Sequence, residues 1–90
     1  MRYVWDEAKR QSNLQKHGLD FAHAPKVFEG QTLQVEDIRL PYGEQRMICY
    51  GLLRALVVVV VHVEDDHTIR IISMRKATKN ESNLYFHHRG

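Results

Sequence analysis

Hydrophobic residues along the chain follow a helical period in the first third and a strand period in the middle, and the switch divides the sequence into segments. Tyr3, Val4 and Trp5 are strand formers, and Asp6 then offers a carboxylate suited to capping a helix. That helix is predicted from Glu7 to His17, with a poor apolar stripe, and stops at Gly18, which is free to turn left-handed. Asp20 supplies a second cap. Leu19, Phe21, Ala24, Val27 and Phe28 recur at helical spacing as far as Gly30, although Pro25 leaves the first turns of this second helix undetermined.

From there the period shortens to that of strands. They are expected at Thr32 to Asp37, Gln45 to Leu52, Ala55 to Val63 and Thr68 to Met74, with turns at Pro41-Tyr42-Gly43, near Arg54 and at Glu64 to His67. Connections this short make the strands antiparallel neighbours. The run Val57 to Val61 cannot belong to a strand with one wet face, so this strand is expected at the centre of the sheet, covered on both sides. Thr78 and Glu81 form a capping box for a last helix, Lys79 to His88. The order β-α-α-β-β-β-β-α segregates strands from helices, which predicts an α+β fold with helices packed on a mainly antiparallel sheet.

Ninety residues suit one small core, so residues 1–90 are expected to form a single domain with room for one site. The formal charge of +2 is too small for a surface that binds polyanions all over, but it is unevenly spread. Arg70, Arg75, Lys76, Lys79 and Arg89 face only Glu81 in the last segment, so the C-terminal part is the basic part. The lone cysteine, Cys49, excludes an internal disulfide and reads as a small core residue. Ala55 to Val61 is far short of the roughly 20 residues that cross a bilayer, and no signal peptide begins at Met1, so a cytoplasmic protein is expected.

The segment from Trp5 to Gly30 is similar to the opening of the BrnT toxin family, in which W-D-x-x-K precedes N-x-x-K-H-G and an F-x-x-A…V-F helix. Trp5, Asp6, Lys9, Asn13, Lys16, His17, Gly18, Phe21, Ala24, Val27 and Phe28 occupy those positions. The later blocks follow in order, with Gly43 to Arg46, Gly51, the valine-rich strand and Arg70 to Tyr85. Pro25 and the tail Phe86 to Gly90, with His87 and His88, depart from the pattern. The resemblance implies a RelE-like ribonuclease toxin of a type II toxin-antitoxin system, without a cofactor. It also implies a BrnA-type ribbon-helix-helix antitoxin, through which the pair reaches operator DNA.

Cleaving RNA without a metal demands activation of the 2′-hydroxyl, stabilisation of a doubly charged phosphorane and protonation of the leaving 5′-oxygen. Arg75, at the end of the last strand, is the leading candidate for the phosphate, and Arg46, at the start of an earlier strand, could join it. Lys9, Asn13, Lys16 and His17 share one face of the first helix, and His17 is cast as general acid or phosphate-binding cation. Glu81 and Tyr85 complete the candidate set as proton-transfer or base-stacking groups.

Each has a structural alternative. Lys16 and His17 could simply complement the helix dipole, Arg75 could pair with Glu81, and Arg46 with Glu44. Glu81 could serve only the capping box, and Tyr85 could pack on the sheet. His62, Asp65, Asp66 and His67 offer no second converging element for a metal, so none is expected. Two other functions stay open at this point: a non-catalytic module that holds its antitoxin on operator DNA, and, resting only on six histidines, a small metal- or ligand-binding domain.

Overall fold

The computed structural model describes residues 1–89; Gly90, the last position of the expected domain, lies outside the described residues. The elements are β1 (Arg2–Val4), α1 (Glu7–His17), a 3₁₀ turn (Phe21–His23), α2 (Ala24–Glu29), β2 (Leu33–Asp37), β3 (Arg46–Leu53), β4 (Leu56–Asp65), β5 (Thr68–Lys76) and α3 (Lys79–Arg89). This is the expected α+β order. Asp6 caps α1 by accepting from the Lys9 amide at 3.1 Å, and Gly18 closes it at φ 70° with its amide donating to the Leu14 carbonyl. The Pro25 region resolves differently from a continuous helix. Asp20 caps a single 3₁₀ turn, accepting from the Ala22 amide, and Pro25 then falls in the first turn of α2, where a missing amide costs nothing.

The five-stranded sheet runs β1-β5-β4-β3-β2. Strands β2 to β5 are antiparallel neighbours, and the pairings Leu53 with Leu56 and Asp65 with Thr68 leave tight turns at Arg54–Ala55 and Asp66–His67. β1 docks parallel to the outer side of β5, from Arg2 opposite Thr68 to Val4 opposite Arg70. With β4 in the middle, the valine run feeds two cores alternately. Val58 and Val60 join Phe21, Ala24, Val27, Ile69, Ile71 and Met74 on the α1–α2 side, and Val57 and Val59 join Tyr50, Ala77 and Tyr85 on the α3 side. Cys49 is fully buried in the first core, and burial pushes its thiol up to about 12, far from a reactive thiolate.

Three local features position the helices. An added Cβ at Gly51 would stand 2.6 Å from Val27 Cγ1, so α2 can press onto β3 only over a glycine. β1 covers β5 no further than Arg70, which leaves the rest of that edge open, and Asn13 closes it. Its side chain donates to the carbonyls of Met74 (2.8 Å) and Leu19 (3.1 Å) and accepts from the Met74 amide (3.1 Å), pairing with the strand edge as a further strand would. β5 also bulges. Val61 pairs with Ser73 and His62 with Ile71, so Ile72 has no partner on β4.

His62 is fully buried, with the edge of its ring against Phe28 at 4.9 Å, and neither ring nitrogen has a hydrogen-bond partner. Burial lowers its proton affinity and keeps the ring neutral. It lies in the core, apart from the exposed residues Asp65, Asp66 and His67.

Candidate active site

Strand register sets out the face turned away from α1 and α2. Leu33, Tyr50, Val59 and Arg75 form one row across four strands, Val35, Ile48, Val61 and Ser73 the next, and Asp37 and Arg46 a third. α3 packs on this face through Tyr85, which joins the cluster of Tyr50, Val57 and Val59, while Val35 in the second row stays 41% exposed. An array of charged and aromatic side chains occupies the uncovered part.

Arg75 is held in a fork. Its two terminal nitrogens donate to the two oxygens of Glu81 at 2.8 and 2.9 Å, and one also donates to the Lys76 carbonyl at 3.3 Å. Glu81 is fixed in turn by the expected capping box, accepting from the Thr78 amide at 2.8 Å while Thr78 Oγ1 accepts from the Glu81 amide at 3.2 Å. The bonds from Arg75 draw the Glu81 carboxyl down to about 2, which makes it a poor base near neutrality. The start of α3 therefore serves as a bracket for the Arg75 guanidinium.

A second bracket stands at the end of β2. Asp37 is 4% exposed, and its oxygens accept two bonds of 2.7 Å from Arg39 and one of 3.2 Å from the Tyr42 hydroxyl. These bonds hold its carboxyl well below the usual range. The Tyr42 ring then carries the Arg46 guanidinium at 4.2 Å from its centre. Arg46 Nε is buried without a hydrogen-bond partner, 3.6 Å from Glu44, whose own oxygens accept from Arg70 at 2.8 and 2.9 Å. Tyr50, buried on β3, lies between the two brackets in the row that runs from Leu33 through Val59 to Arg75. Burial pushes its hydroxyl upward, with the acids adding and the arginines opposing, so it is a neutral phenol.

Of the residues singled out in the sequence, the fold brings Arg75 and Glu81 into direct contact and sets Arg46 on the same face, at the Tyr42 end. Tyr85 is 2% exposed and donates to the Gln31 carbonyl at 2.8 Å, so its hydroxyl is engaged in packing. Lys16 and His17 are not joined to Arg75 by any contact; with Lys9, Ser12, Asn13 and Ile72 they line a separate open depression of about 220 Å³. Asp37, Arg39 and Tyr50 were missed as site candidates. Period-two alternation could have put Tyr50 on the Arg46 face, but nothing in the sequence says that Arg39 folds back onto Asp37.

The family model described as "Ribonuclease toxin, BrnT, of type II toxin-antitoxin system" matches residues 5–81. The chain belongs to the BrnT family. Its fold is similar to the 1.1 Å crystal structure of the Brucella abortus ribonuclease toxin BrnT, with a TM-score of 0.66 and 29% identity over 88% of this chain and 99% of that one. No curated relative matches the sequence at a significant level. As a BrnT-family protein the chain is a ribonuclease toxin of a type II system, which implies RNA as substrate and an antitoxin as partner. Among the described residues, no helix is long and apolar enough to cross a membrane.

Proposed function

We propose that the chain is an endoribonuclease that cleaves RNA without a metal, at the sheet face centred on Arg75. The observation that carries this reading is the Arg75 guanidinium held by both oxygens of Glu81 on the sheet face turned away from α1 and α2, with Arg39 held in the same bidentate way by Asp37 at the end of β2. A guanidinium fixed before the substrate arrives suits the charge that develops on a phosphorane, because little reorganisation is needed when the charge appears. In this reading the substrate 2′-hydroxyl gives its proton to solvent water as its oxygen attacks phosphorus, a 2′,3′-cyclic phosphate forms, and the P–O5′ bond breaks with the 5′-oxygen taking up a proton. Arg75 offsets the charge on the equatorial oxygens, Arg39 adds positive charge at the β2 end of the face, and the leaving oxygen takes its proton from water. Glu81 positions Arg75 and is not the base. The cluster contains no carboxylate suited to proton abstraction at neutral pH, so charge and positioning dominate.

Cleavage of cellular RNA would inhibit translation in the cytoplasm. A cognate BrnA-type ribbon-helix-helix antitoxin would neutralise the chain and carry the pair to operator DNA. The test is incubation of labelled RNA with the folded protein in chelator, wild type beside Arg75→Ala, followed by addition of the antitoxin. Cleavage abolished by the substitution and by the antitoxin is expected. The same bidentate pairing favours one other reading, a non-catalytic co-repressor, since Arg75 and Arg39 are already neutralised; antitoxin binding without any cleavage would decide for it.

A further inference from the structure

The motif that the Arg75 cluster leaves unused is the one on α1. Lys9, Ser12, Lys16 and His17 line the depression of about 220 Å³ beside Ile72, and all four are exposed. Lys9 and Lys16 are seven residues apart, which places them two helical turns from each other on one side of α1, roughly 10 Å along the axis. The acids nearest to them are already spent. Arg10 takes both Glu7 (2.7 Å) and Asp20 (2.8 and 2.9 Å), and the Asp6 side chain is turned to the Lys9 backbone amide. Among the described residues neither Lys9, Lys16 nor His17 makes an ion pair, whereas Arg39, Arg46, Arg70 and Arg75 on the sheet each do.

Two features tie this stripe to the Arg75 strand. Asn13, in the middle of it, is bonded to the backbone of Met74, the residue next to Arg75. The bulge at Ile72 breaks the alternation of β5, so that Ile71 and Met74 both enter the helix-side core and Ile72 is released to the depression. Unneutralised ammonium groups spaced along a helix, an imidazole, a hydroxyl and an apolar floor are the chemistry of a phosphate backbone track with room for a base or sugar against the floor.

We infer that the stripe Lys9, Ser12, Lys16 and His17 on α1 is a binding site for the phosphate backbone of single-stranded RNA, distinct from the Arg75 cluster. This rests on the ribonuclease reading above. The strand would pass around the sheet edge where Asn13 covers β5, with its scissile phosphate at Arg75 on one face and flanking phosphates on α1 on the other. The site then sets affinity and salt dependence rather than the rate of the chemical step.

The probe is a short fluorescent 2′-O-methyl RNA, which cannot be cleaved, with binding followed by anisotropy across a salt series. Lys9→Gln/Lys16→Gln is expected to bind about tenfold more weakly at low salt, and the slope of log affinity against log salt should become shallower by roughly 1.4 for two lost phosphate contacts. Lys9→Arg/Lys16→Arg keeps the charge and should keep the slope. On cleavable RNA, KM should rise while turnover at saturation carries little of the loss. An unchanged slope in the glutamine variant overturns the inference and leaves the ribonuclease reading standing. So does normal RNA binding combined with a weakened antitoxin complex, which would give the stripe to the partner. Wild-type protein that neither binds nor cleaves RNA overturns both.

Discussion

Asn13→Ala tests how α1 is attached to the sheet. The Asn13 amide satisfies both the amide and the carbonyl of Met74 and reaches the Leu19 carbonyl, and the residue is only 8% exposed. Truncation leaves two groups of Met74 unpaired at a buried position. At about 1–3 kcal/mol for each unsatisfied buried group, and with some relief if water enters, the loss should be on the order of 2–4 kcal/mol. For a domain of this size each 1 kcal/mol moves the melting temperature by roughly 4–8 °C. Urea unfolding should show a lower midpoint with an unchanged slope.

Asn13→Asp sharpens the test. One oxygen still accepts from the Met74 amide, but the other replaces a donor and faces the carbonyls of Met74 and Leu19. The folded state therefore disfavours the carboxylate and raises its pKa above the unfolded value of about 3.9. Stability of this variant should be worst near neutrality and recover as pH falls and the carboxyl regains a proton to donate. An alanine variant within 0.5 kcal/mol of wild type, or an aspartate variant that is no worse than alanine at pH 7, would refute the edge-pairing argument.

Two further predictions concern the core. Burial depresses His62 below its ordinary 6.5, so the unfolded chain takes up a proton first, and stability present above pH 6.5 should decline below it by up to about 1.4 kcal/mol per pH unit. His62→Leu, followed by thermal melts from pH 7 to 5, should flatten that decline; an identical decline in the variant would show that His62 is not its source. Gly51→Ala should cost about 1–3 kcal/mol, since the new methyl meets Val27 Cγ1 at 2.6 Å. In the double variant with Val27→Ala the two losses should sum to less than their separate values, and strict additivity would contradict the packing.

The elements were legible because each leaves a local mark: a cap at Asp6, a left-handed stop at Gly18, five valines for a strand covered on both sides, and a capping box at Thr78. The Asp20 region was only half legible, because Pro25 permits either a broken helix or a fresh first turn, and tertiary packing of Phe21 decides. The parallel pairing of β1 with β5 joins residues more than sixty positions apart and leaves no local trace. Asn13 illustrates the same limit at the site. Its spacing puts it on the helix face of Lys9, Lys16 and His17, yet its side chain is consumed by the strand edge, a demand visible only once the sheet is built. The Arg75–Glu81 pair could be foreseen from six residues of separation, whereas the row that Tyr50 shares with Arg75, and the pairing of Asp37 with Arg46, follow only from strand register.

The central claim is that Arg75 carries the chemistry and Glu81 only holds it. Single-turnover cleavage at saturating RNA, in chelator, should separate the two in Arg75→Ala and Glu81→Gln proteins whose folding is verified by melting. Loss of a preorganised charge donor predicts a rate reduced by roughly 10²–10³ for Arg75→Ala, with Glu81→Gln, which keeps one acceptor but loosens the fork that holds the guanidinium, losing a clearly smaller part of the rate. The opposite pattern, with cleavage surviving in Arg75→Ala and lost in Glu81→Gln, would make the carboxylate the working group and contradict the account.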